Sequence, residues 1–111
     1  MTNNTLPVDR RLAAHPYAQC YVLETNDYVQ FVSYYSEVVL YNKKYETLTL
    51  RGVRNYSSTT ARQLGWFQNE AERWLPAWCV QAIDEIRHYK QMNNHDVEAI
   101  VTVDGNISYA Y

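Results

Sequence analysis

The spacing of apolar residues changes twice along the chain, and that constrains the fold more than any other feature. From residue 18 to 51 the apolar positions recur every second residue. In "YVQFVSYY", Val29, Phe31 and Ser33 fall on one side, and Tyr28, Gln30, Val32 and Tyr34 on the other. A period of two is the signature of a strand with one face buried. "YAQCYVLETN" before it is rich in strand formers and stops at Thr25-Asn26-Asp27, a turn-forming cluster. "EVVLYN" follows, "NKKY" turns the chain, and "ETLTLR" points Leu48 and Leu50 one way and Thr47 and Thr49 the other. These segments predict an antiparallel meander of three or four strands.

The period then lengthens. Leu64, Phe67, Ala71, Trp74, Leu75, Trp78, Ala82, Ile83, Ile86 and Tyr89 are spaced by threes and fours, the pattern of an amphipathic helix. Pro76 interrupts it. Proline inside a helix removes a hydrogen bond and clashes with the preceding turn, but it is tolerated at the start. Two helices are therefore predicted, about 58–73 and 76–92, joined near Leu75; one kinked helix is the alternative. The period returns to two in "VEAIVTV" and "NISYAY", which flank Asp104-Gly105. That dipeptide supplies the positive φ angles of a two-residue hairpin loop. The predicted fold is α+β: an antiparallel sheet of five or six strands with two helices packed on one face.

A chain of 111 residues is one domain with room for a real core. Residues 1–16 are polar, contain Pro7 and Pro16 and show no period, so they are expected to be a weakly ordered arm on a domain spanning 17–111. No run approaches the roughly 18 apolar residues of a membrane helix, and "MTNNTLPVDRRLAAHPY" lacks the apolar core of a signal peptide. The two cysteines, Cys20 and Cys79, then read as reduced thiols of a cytoplasmic protein.

Few constellations could carry catalysis. With three glycines in all, the chain has no glycine-rich phosphate loop and no nucleophile elbow. Glu85 and His88 share a helix face in "DEIRH", but the further carboxylates of a bridged metal site are missing. Pairing of Asp84 with His88 on the helix surface accounts for them. Cys79 beside Trp78 reads as a buried, inert thiol. No catalytic residue, metal or cofactor is expected.

Binding is better supported. Eleven tyrosines exceed what strand positions require, and tyrosine suits half-wet interfaces. The net charge is −2, which argues against a simple polyanion binder. Yet Lys43, Lys44, Arg51, Arg54 and Arg62 stand against Glu46 alone, between acidic flanks. With Tyr41, Tyr45 and Tyr56 they form a basic and aromatic segment. Such a segment suits a protein interface or single-stranded nucleic acid. Ser57, Ser58, Thr59 and Thr60 precede the first helix. One of them caps it; the others are in excess of that need.

The stretch "FVSYYSEVVLY…ETLTL…NYSSTTARQLGWF" resembles a small domain of unknown function encoded by phages and mobile elements of Gram-positive bacteria. Ser33-Tyr34, Tyr56-Ser57, Thr59-Thr60, Leu64 and Phe67 carry the resemblance. It covers about residues 29–68 and implies a phage origin, a host cytoplasm and no catalytic activity. From it follows the expected function, an accessory inhibitor that binds a bacterial defence protein, in the manner of an anti-CRISPR acting on an effector nuclease such as Cas9. The alternative is a nucleic-acid-binding regulator using residues 43–62. The uncharged terminal strand "NISYAY" is also an edge suited to pairing with a second copy as a homodimer.

Overall fold

Seven strands run antiparallel in the order in which they occur along the chain, so each strand pairs with the next. The computed structural model describes residues 8–10, 12, 15, 18–34, 36–52, 58–88 and 98–110. The strands are β1 (Val8–Arg10), β2 (Cys20–Glu24), β3 (Tyr28–Ser33), β4 (Ser36–Asn42), β5 (Thr47–Leu50), β6 (Glu98–Thr102) and β7 (Ile107–Ala110). Between β5 and β6 come α1 (Ser58–Glu70), a 3-10 turn (Ala71–Arg73) and α2 (Ala77–Arg87). Strands β2 to β7 make six within residues 17–111, where five or six were expected. β1 is an addition from the segment expected to be an arm, where Leu12 is also fully buried.

Alternation places Val22, Val29, Phe31, Leu48, Leu50, Ala99 and Val101 on the helix side, all essentially buried. Leu64, Phe67, Ala71, Leu75, Cys79, Ala82, Ile83 and Ile86 meet them from the helices in the same core. Each of the larger side chains contributes about 1.5–3 kcal/mol by leaving water. Phe67 stacks between Phe31, at 4.6 Å between ring centroids, and Trp74, at 5.8 Å.

The β3–β4 ladder slips by one residue. Phe31 pairs with Val39, but Val32 pairs with Glu37, so Val38 is an extra residue in β4. A bulge of this kind reverses which side the following residues face. Glu37 consequently shares the open face with Val32, while Val39 and Tyr41 turn toward the helices.

Pro76 lies just before α2 and does not kink one continuous helix. Its φ is −60° and ψ 156°, an extended conformation, and its carbonyl accepts the N–H groups of Cys79 and Val80. The expected capping at Ser57 lies outside the described residues, and Ser58 is already helical. The helices stay in contact through Arg87, which donates to Oε1 of Gln68 at 2.6 Å and to the carbonyl of Ala61 at 3.3 Å. The guanidinium passes over Gly65, where even a Cβ would stand at an ordinary 3.6 Å from it. Among the described residues, no helix is long and apolar enough to cross a membrane.

The Asp104-Gly105 loop is not the two-residue turn expected. Gly105 donates to the carbonyl of Thr102, and Thr102 donates to the carbonyl of Asn106. Only Gly105 has a positive φ, 91°. This is a three-residue loop, Val103-Asp104-Gly105, in which a type I turn is followed by one left-handed residue. Asp104 stays out of the left-handed region and accepts from Thr102 and Asn106.

Candidate partner-binding surface

The described residues of the basic and aromatic segment do not gather into one patch. Tyr41, expected at a binding surface, is 7% exposed and belongs to the core. Its ring meets Trp78 edge-on at 6.0 Å. Burial raises its pKa, helped by nearby Cys79 and Glu46. The bulge at Val38 is the physical reason, because it sends Tyr41 inward.

Lys43 spans the neighbouring turn. Its Nζ lies 3.2 Å from Oε2 of Glu24 and donates to the carbonyl of Thr25 at 2.8 Å. Asn42 Oδ1 accepts the N–H groups of Lys44 and Tyr45, which shapes the β4–β5 turn. Lys44 sits 5.4 Å from the Tyr45 ring centroid. Arg51 occupies the far end of β5, about 13 Å away at ~3.3 Å per residue. There it pairs with Glu37 at 2.7 Å and with Glu98. Hydrogen bonding to Glu37 raises the Arg51 pKa further. Arg62 lies on α1, 5.9 Å from the Trp66 ring, which His15 stacks at 3.7 Å. Arg54 and Tyr56 fall outside the described residues. Among the described residues of the segment, the structure thus brings together Lys43, Lys44 and Tyr45. Two of the bases it places elsewhere are Arg51, between carboxylates, and Arg62, on a different element.

The hydroxyl run has a partly internal role. Ser33 Oγ donates to Oε1 of Gln63 at 2.6 Å and lies 3.2 Å from Oγ1 of Thr60. Ser33 and Gln63 are both buried, so this bond fixes α1 on the sheet. Beside it, Tyr34 turns the chain with φ of 56° and is 49% exposed. A bulky residue is uncommon in that conformation.

A different surface emerges at the other end of the sheet. Thr47 pairs with Thr102, which sets the β4–β5 and β6–β7 turns side by side. Tyr45 on the first turn is 68% exposed and Val103 on the second 50% exposed. Beside Val103 an open groove of about 170 Å³ runs between α2 and the β6–β7 hairpin. Trp78, Gln81, Ala82, Glu85, Val101 and Ile107 line it. The sequence reading missed Val103 and the groove. It assigned Val103 to a strand face, whereas the three-residue loop lifts it onto the tip. An apolar residue beside Asp-Gly was the available signal.

The histidine and cysteines singled out in the sequence do not gather into a metal-binding group among the described residues. His88 approaches Asp84 at 3.5 Å on an exposed helix face, and no three His, Cys, Asp or Glu side chains converge among the described residues. Cys20 and Cys79 are buried and unbridged. Burial pushes the Cys79 thiol up to about 12, so it is a poor nucleophile at neutral pH. Compared with protein-family models, with curated proteins and with solved structures, the chain matches none.

Proposed function

We propose that this protein works by binding another protein, docking through the sheet end formed by Tyr45, Val103 and the α2 groove. One observation carries the reading. Two of the most exposed large apolar side chains stand on adjacent turns, with the groove beside Val103. Aromatic anchors next to a pocket are the usual centre of a protein interface. The turn bearing Tyr45 is shaped by the Asn42 side chain, which reduces the ordering cost of binding.

The phage-type resemblance of residues 29–68 supports the class of partner. We propose a host defence protein, with a CRISPR effector nuclease such as Cas9 as the first target to test. Purified Cas9 loaded with guide RNA, mixed with this protein, should cleave target DNA more slowly and co-elute with it in gel filtration. The combined Tyr45→Ala and Val103→Asp substitutions should restore cleavage. Unchanged cleavage with separate elution removes Cas9 as the target. Gel-shift titration with single- and double-stranded DNA and RNA is the control. Binding that falls steeply with salt would transfer the function to nucleic acid. Light scattering on the same fractions tests pairing with a second copy.

A further inference from the structure

We infer that the α2 groove receives an apolar side chain followed by a lysine or arginine, so the partner presents a cationic, apolar segment there. This deepens the docking reading and rests on it. At about 170 Å³ the groove falls below the ~300 Å³ at which small-molecule pockets begin. It is sized for one side chain, not for a cofactor. Ala82, Val101, Ile107 and the Trp78 side chain supply apolar walls, and among the described residues Glu85 is the one charged residue in the lining.

The surroundings reinforce the negative sign. Asp104 is exposed on the hairpin loop, next to Gly105 of the lining, while Asp84 turns toward α1 and accepts from Gln68. The Asp104 carboxyl is held below its ordinary value by the Thr102 hydroxyl and the Asn106 N–H, so it stays charged. Arg87 of α2 is engaged with Gln68 and Ala61 of α1. Lys44, on the adjoining turn, lies over Tyr45. A cation entering the groove therefore meets the Glu85 carboxylate beside the Trp78 side chain, with Asp104 on the adjacent loop. An acidic segment would meet like charge, which weakens binding and steers it away.

The test uses the full chain and two dipeptide probes, N-acetyl-leucyl-arginine amide and N-acetyl-leucyl-glutamate amide. Amide and methyl spectra follow Trp78, Val101, Val103 and Ile107 during titration to about 20 mM, the range of weak single-site contacts. The arginine probe should shift these signals together and bind about fivefold more tightly than the glutamate probe, as expected for one solvent-exposed ion pair. The exposed substitution Glu85→Gln should remove most of that preference while leaving the melting temperature unchanged. Equal binding of the two probes, shifts confined to other parts of the protein, or no shift at all would overturn the inference. Failure of docking itself reads out separately, as Cas9 cleavage and elution that do not respond to this protein. A groove without charge preference leaves that result untouched.

Discussion

Ser33 Oγ donates to Oε1 of Gln63 at 2.6 Å, joining the end of β3 to the middle of α1 where both side chains are buried. A buried acceptor that loses its donor keeps its full desolvation cost. Ser33→Ala should lower stability by about 1–3 kcal/mol. Replacing both partners, Ser33→Ala with Gln63→Leu, should cost less than the sum of the two single changes. Urea unfolding of the four proteins in this cycle measures the coupling directly.

Gly65 is a helix-interior glycine that packing does not require. A methyl group there would sit 3.6 Å from the Arg87 guanidinium, an ordinary contact. Gly65→Ala should raise stability by about 0.5–1 kcal/mol through helix propensity. The thermal midpoint is the readout. A fall would show that Arg87 cannot yield even this little.

Tyr34 holds a left-handed φ of 56° in the turn after β3. Asparagine tolerates that region better than a bulky aromatic. Tyr34→Asn should stabilise the protein by about 0.5–1 kcal/mol, seen as a higher denaturation midpoint. If the midpoint drops instead, the half-exposed ring contributes more packing than the backbone strain costs.

Cys79 governs part of the alkaline behaviour. Its folded-state pKa, about 12, lies above the ordinary value of 9.0 because the thiol is buried. Below pH 9 both states keep the proton and stability is unaffected. Between about 9 and 12 the unfolded chain releases a proton that the folded chain retains. Stability should therefore fall as pH rises through this window, by about 1 kcal/mol per pH unit. Tyr41 shifts in the same direction from 10.0 and adds to the fall. Denaturation midpoints at pH 8, 9.5 and 10.5 test this, and Cys79→Ala should flatten the slope. A thiol-reactive dye should label native Cys79 far more slowly than unfolded chain at pH 8.

The local elements were legible because each rests on short-range chemistry. Period two at Val29, Phe31 and Ser33, period 3.6 from Leu64 to Ile86, and Pro76 at a helix boundary all act within a turn or a strand of themselves. That is enough to specify an antiparallel sheet with helices on one side. The functional surface was far less legible. Lys43 and Arg51 are close in sequence, yet their partners, Glu24 and Thr25 for Lys43 and Glu98 for Arg51, come from distant parts of the chain. A charge count along the chain does not register such pairing.

What the amino-acid order determined by itself was the alternation of each strand, the two amphipathic helices and the position of the final hairpin. Tertiary structure alone decided which way Tyr41 faces, because the extra residue at Val38 is defined only by how β4 pairs with β3. It alone decided that Val103 stands at a loop tip, because the β6–β7 register sets the loop at three residues. It also gave Ser33 its partner 30 residues away. Period and propensity are properties of neighbours along the chain, whereas register and pairing are properties of neighbours in space.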